Sequence, residues 1–171
     1  LSAAATAMVA RRIGEGDRVA ASSAGAQVIL IALAVSVLIA VPGFIFAEDI
    51  LRFMAQDQSV SESGSQFTRL MLSANLPILL LWMLNGIFRG AGDAATAMRA
   101  LWIANGVNML LDPLLIFGIG PFPEMGVLGA GVATTIGRSV GVSYQLWHLF
   151  GVGKIVKLRW DMMRPRWAVI G

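Results

Sequence analysis

From residue 19 to residue 47 the chain carries no charged side chain. A helix rising about 1.5 Å per residue needs roughly 20 residues to cross the ~30 Å hydrocarbon core of a bilayer. These 29 uncharged positions therefore predict a membrane span. A second uncharged run, 70–88, lies between Arg69 and Arg89. A third, 100–123, is broken only by Asp112, and a fourth, 125–153, only by Arg138. Residues 1–10 are apolar and polar-uncharged and end on Arg11 and Arg12, which predicts a fifth, partial span. Helices are expected at about 1–10, 20–46, 68–88, 97–118 and 127–150, giving an all-α polytopic membrane bundle. Because the first residue is Leu and no basic region precedes the apolar opening, a signal peptide does not fit. A fragment preceded by at least one more helix is expected.

Composition supports the same class. With 57% hydrophobic residues, 13% charged residues and a mean hydropathy of +0.74, the chain lacks the polar surface of a soluble globule and is too apolar for disorder. The absence of cysteine excludes disulfide scaffolds and thiolate metal sites. A net charge of +3 and a pI near 10.2 would suit nucleic acid in a soluble domain. Here the basic residues flank apolar runs, as membrane boundaries do, and a nucleic-acid partner is not expected.

Basic residues in short loops mark the cytoplasmic side. Arg11, Arg12, Arg18, Arg89, Arg99, Lys154, Lys157, Arg159, Arg164 and Arg166 fall on one side, Arg52 and Arg69 on the other. The first group is assigned to the cytoplasm, and the acidic stretch 48–66 to the outside of a plasma or inner membrane. Residues 154–171, basic and aromatic by turns, are expected as a cytoplasmic connector against the anionic inner leaflet.

Two copies of G-x-G-D, Gly14–Gly16–Asp17 and Gly90–Gly92–Asp93, sit where helices reach the cytoplasm. Glycine closes a helix C-terminus in the left-handed conformation, and Asp accepts free N–H groups at the next N-terminus, so both predict tight helical hairpins. A phosphate loop would need a following Lys-Ser/Thr and a preceding strand, and neither is present. In the fourth span Gly126, Gly129, Ala133, Gly137 and Gly141 form a small-residue stripe that predicts close helix packing. Pro42, Pro77 and Pro113 fall in or near spans, where each removes a helical hydrogen bond.

Asp112 is the principal functional candidate, because intramembrane carboxylates are costly and are kept for ion paths and relays. Asn105 and Asn108 lie seven and four residues earlier, so all three share one helix face. Together they suit the wall of a polar cavity in which Asp112 carries a proton or, with amide and backbone oxygens, a Na⁺ ion. The alternative is structural: Asp112-Pro113 ends the helix and the asparagines bind helices together. Arg138 is a possible ion-pair partner for Asp112 or, alternatively, faces an inner cavity; Thr134 and Thr135 offer hydroxyl ligands. His148, the single histidine, reads as interfacial rather than metal-binding. No nucleophile–base set or facing carboxylate pair suggests an enzyme.

The segments Arg12-Ile13-Gly14-Glu15-Gly16-Asp17, Phe88-Arg89-Gly90-Ala91-Gly92-Asp93, Asn108 through Gly118, and Gly126 through Thr134, in that order, resemble the multidrug and toxic compound extrusion (MATE) transporters. The resemblance implies twelve helices in two six-helix lobes, with residues 1–153 covering the end of the second helix through the sixth of the N-terminal lobe. It implies export of cationic amphipathic drugs and toxins in exchange for H⁺ or Na⁺ by alternating access, without a cofactor. The C-terminal lobe would be the structural partner. Asn108 and Asp112 match the Asn and Asp of the N-lobe cation site in the DNA-damage-inducible branch, and Thr134 matches a hydroxyl there. A flippase for lipid-linked precursors or polysaccharides, from the same superfamily, is the alternative; more cationic residues along its cavity would be expected.

Overall fold

A computed structural model describes residues 2–54, 68, 70–72 and 74–152, with side chains described outside 47–54 and 152. Residues 55–66 of the expected outer stretch 48–66, Arg69 and the connector 154–171 lie outside the described residues. Five helices are delimited among the described residues: α1 (Ser2–Gly14), α2 (Arg18–Met54), α3 (Asn75–Gly90), α4 (Ala94–Ile116) and α5 (Val127–Trp147). A π-helical turn, His148–Val152, continues α5. On it the His148 ring packs at a tilt against Tyr144 and edge-on against Trp147, with ring centroids 4.8 and 5.2 Å away.

The stretches 18–46 and 70–90 are apolar enough to cross a membrane on length and hydropathy alone. Helices α4, of 23 residues, and α5, of 21, have the length to cross but carry polar groups within it. Helix α2 runs to Met54, past the boundary expected near residue 47, because Glu48, Asp49 and Arg52 are ordinary helix formers that end a hydrocarbon run without ending a helix. Pro77 falls in the first turn of α3, where its missing N–H has no intrahelical acceptor to lose, and Pro113 lies inside α4 one turn before its end.

Helix α3 is the hub, with α1, α2, α4 and α5 packed against it. Leu81, Leu84 and Ile87 are fully buried there, joined by Val9 of α1 and Leu149 of the π turn. Glycines let α1 approach closely: a Cβ on Gly90 would stand 2.5 Å from the Thr6 carbonyl oxygen, and one on Gly86 2.8 Å from that of Ser2. The Thr6 hydroxyl fills the seam, within bonding distance of the carbonyl oxygens of Ser2 and Gly86. Large apolar side chains face outward instead, among them Leu38, Phe44, Trp102, Met109 and Leu110. That inversion suits a chain whose solvent is lipid or further protein.

Both G-x-G-D sequences turn the chain the same way. Gly16 (φ 76°) and Gly92 (φ 81°) occupy the left-handed region. Asp17 N–H donates to Arg12 O and Gly16 N–H to Ile13 O; Asp93 N–H donates to Phe88 O and Gly92 N–H to Arg89 O. This is the paired closure that ends a helix on a left-handed glycine. Each aspartate then caps the next helix: Ala20 N–H donates to Asp17 Oδ1 (2.8 Å) and Thr96 N–H to Asp93 Oδ1 (3.1 Å). Asp93 also accepts from the Thr96 hydroxyl at 2.7 Å. Replacing Asp93 by Ala is expected to lower stability by about 1 kcal/mol, read as a lower thermal midpoint of the full-length protein in detergent. In the first hairpin the Arg11 and Arg12 side chains both bond Glu15 at 3.0 Å and hold its carboxyl below the usual glutamate range. The link's contribution is therefore fully present above that range and is lost as pH falls on through the lowered folded-state value.

Candidate functional site

The α4–α5 pair carries the polar residues, and glycine lets it form. A Cβ on Gly129 would lie 2.5 Å from Leu115 O, and one on Gly137 2.6 Å from Ala104 O. Gly141 packs on Ala104 and Ala100 in the same way. With Ala133 fully buried between them, the stripe 129–133–137–141 is the seam of an intramolecular helix pair. Gly126 precedes the helix, at φ 54° in the connection from α4.

On this seam Asn108 Nδ2 donates to Asp112 Oδ1 (3.2 Å), one turn along α4, and lies 3.3 Å from Thr134 Oγ1 across on α5. All three residues are half-buried. Thr135, Ser139 and Ser143 turn their hydroxyls back onto carbonyls of their own helix. Thr134 does not, so its hydroxyl is left to the site. Because Asn108 uses its amide N–H₂, what the cluster offers a ligand is oxygen: carboxylate, amide carbonyl and hydroxyl. Such a set suits a proton or a hard cation. Among the described residues no group of three His, Cys, Asp or Glu forms a metal centre. The helix continues through Asp112 to Ile116, so Asp112 is not the terminal cap of the structural alternative.

The structure separates two further candidates from this cluster. Asn105 shares the helical stripe but is exposed and bonds nothing among the described residues, because Thr134 reaches α4 only at the level of Asn108. Arg138 makes no ion pair with Asp112. Gly137 packs against Ala104 and Asn108, which sets Arg138 near the level of residue 104, eight residues or roughly 12 Å along α4 from Asp112. Arg138 instead lines a cavity of about 380 Å³ toward the hairpin end of the molecule, together with Trp82, Asn85 and Arg89 of α3 and Met98 and Leu101 of α4.

A buried amide pair was not anticipated. Gln145 is fully buried on α5 and donates Nε2–H to Asn85 Oδ1 at 2.8 Å, tying α5 to α3 beside that cavity. Its Oε1 has no partner among the described residues. The available signal was that Asn85 and Gln145 are amides inside charge-free runs, where interhelical bonding is the usual reason for a polar side chain.

Comparison with known proteins places this arrangement. The profile of the MatE family matches residues 1–114. The chain belongs to the MatE family. A probable multidrug resistance protein NorM of Thermotoga maritima is 30% identical over 167 residues, 98% of this chain and 36% of the relative. An FAD transporter of Shewanella oneidensis is 38% identical over 101 residues, 54% of this chain and 21% of that one. The chain thus spans about a third or less of the length of these relatives. Among solved structures, an inward-facing conformation of a multidrug resistance MATE family transporter of the MOP superfamily matches with a TM-score of 0.88 at 26% identity, covering 99% of this chain and 38% of the other. Its outward-facing counterpart matches equally, with a TM-score of 0.88 over 99% of this chain and 37% of the other. The MATE chain described here is therefore a membrane helix bundle whose fold matches both of those structures equally well.

Proposed function

We infer that the full-length protein is a secondary active antiporter in the cell membrane, exporting amphipathic small molecules, cationic drugs among them, in exchange for H⁺ or Na⁺. The observation that carries this reading is the Asp112–Asn108–Thr134 oxygen cluster, half-buried within two spans. Occupation of Asp112 by the incoming cation and binding of cargo are the two events that alternate. The equal match to inward-facing and outward-facing relatives supports a lobe that swings as one body. In this reading the hairpin end faces the cytoplasm, as the basic residues imply, and 154–171 leads to a C-terminal lobe. The relatives include a probable multidrug resistance protein and an FAD transporter, and in this reading the cavity walls of the full-length protein set its own cargo.

The test is flux of a fluorescent cationic drug into or out of proteoliposomes holding the full-length protein, under an imposed pH or Na⁺ gradient. One gradient is expected to drive flux and the other not, which names the coupling ion. A second reading, a flippase for lipid-linked precursors, is favoured by Arg89 and Arg138 lining one cavity. Rescue of an envelope-precursor defect without drug resistance would decide for it.

A further inference from the structure

Along α4, residues 94, 98, 101, 105, 108 and 112 follow one another at helical spacing on a single stripe. The ~380 Å³ cavity takes the hairpin-end half of that stripe and the Asp112 cluster the other half. Arg138 stands one turn of α5 beyond Thr134 on the same side. The two sites are thus the two ends of one groove, and they have opposite charge.

Arg138 is half-buried in mid-span and makes no hydrogen bond or ion pair among the described residues. A charge held there without a counter-charge is costly and marks a pathway or a ligand. Arg89 donates Nε–H to the Asn85 carbonyl oxygen at 3.3 Å, which leaves its terminal nitrogens for a ligand. The Asn85 side chain spends its Oδ1 on Gln145, so its remaining hydrogen-bonding atoms are Nδ2 donors. No carboxylate lines the cavity among the described residues. Its charged wall is therefore doubly positive, while Trp82, Met98 and Leu101 supply an apolar wall. The volume falls within the few hundred Å³ of ordinary ligand sites.

We propose that this pocket binds a phosphate monoester carried on an apolar or planar aromatic body, and that such amphipathic anions are cargo of this transporter. Two guanidiniums match the charge of about −1.5 to −2 that a monoester bears at neutral pH, and guanidinium forks fit phosphate oxygens. Trp82 and the arginine planes stack on a ring. The same pair of charges repels a cation, so a cationic drug is disfavoured in this half of the groove. That the anion is transported rests on the antiporter reading; that it binds does not.

The test uses the full-length protein in phosphatidylcholine nanodiscs, with no gradient, titrated with riboflavin 5′-phosphate and with uncharged riboflavin. The phosphate ester is expected to bind about tenfold more tightly or better, the worth of a charge-assisted contact. Arg138→Gln and Arg89→Gln should each erase that preference, and Arg138→Lys should keep part of it. Adding phosphatidic acid to the discs separates the sources of the phosphate. If a lipid fills the site, phosphatidic acid displaces the flavin phosphate and raises the thermal midpoint of the wild type but not of Arg138→Gln. If a soluble molecule fills it, flavin binding is unaffected. Equal affinity for the two flavins with no effect of phosphatidic acid overturns the proposal, as does a preference that survives Arg138→Gln. Because binding is read without a gradient, failure of coupling at Asp112 leaves this result intact, and the two failures are distinguishable.

Discussion

Gradient-driven flux through the full-length protein is expected to fall at least about a hundredfold in Asp112→Asn, with expression and thermal midpoint little changed. The substitution is nearly isosteric, and the new carboxamide can still accept from Asn108 Nδ2 through its oxygen, so the local packing survives. What is lost is the capacity to carry a proton or to neutralise a cation. Loss of outer hydrogen-bond partners already weakens ion sites by about 10–100-fold, and removal of the charged ligand itself exceeds that. The measurement is uptake of a fluorescent drug in proteoliposomes under the gradient that drives the wild type. Undiminished flux would mean that Asp112 holds Asn108 in place and nothing more, and the coupling site would have to be sought elsewhere.

The second large effect is on stability. In Gly129→Val the added Cβ would stand 2.5 and 2.6 Å from Leu115 O and C. Both obstacles are backbone, so no side-chain rotation relieves them. Helices α4 and α5 must separate at the end where the 117–126 connection joins them, breaking the bonds from Met125 N–H to Leu115 O and from Gly126 N–H to Ile116 O. A loss of about 3 kcal/mol or more is expected, at the upper end for overpacking, seen as a sharply lower thermal midpoint or failure to express. Gly106→Ala is the control: its Cβ meets nothing within 4 Å, and exchanging glycine for alanine within a helix is neutral or stabilising by up to about 1 kcal/mol. Equal midpoints for the two variants would refute the assignment of the stripe to the α4–α5 seam.

Much of this was legible without coordinates because the underlying physics is local. A charge-free run announces a span, and G-x-G-D announces a left-handed closure followed by an aspartate cap, since both act within one turn of the chain. Asp112 stood out as a carboxylate inside a span, Asn108 by its helical spacing from it and Thr134 as a hydroxyl in the next span, and the structure brings the three together. What the sequence left open is what a second helix decides. Spacing alone put Asn105 beside Asn108, and only the position of Thr134 on α5 separates them. Side-chain length alone allowed Arg138 to reach Asp112, and only the register of Gly137 against Ala104 shows that it sits two turns away. The extension of α2 to Met54 had a different cause, since hydropathy reports where hydrocarbon ends and says little about where hydrogen-bonded backbone does.

The glycine seam also limits how the protein can signal. With backbone atoms of α4 and α5 nearly touching at residues 129, 137 and 141, the two helices behave as one welded plate. Asp112 and Thr134 lie on the two helices that the weld joins, so an ion held between them would not report its presence by widening or narrowing the gap. The message must leave sideways, through whatever third surface closes over the groove. If Asp112 takes the coupling ion as proposed, the plate is its fixed reader, and the moving part is the element it reads against.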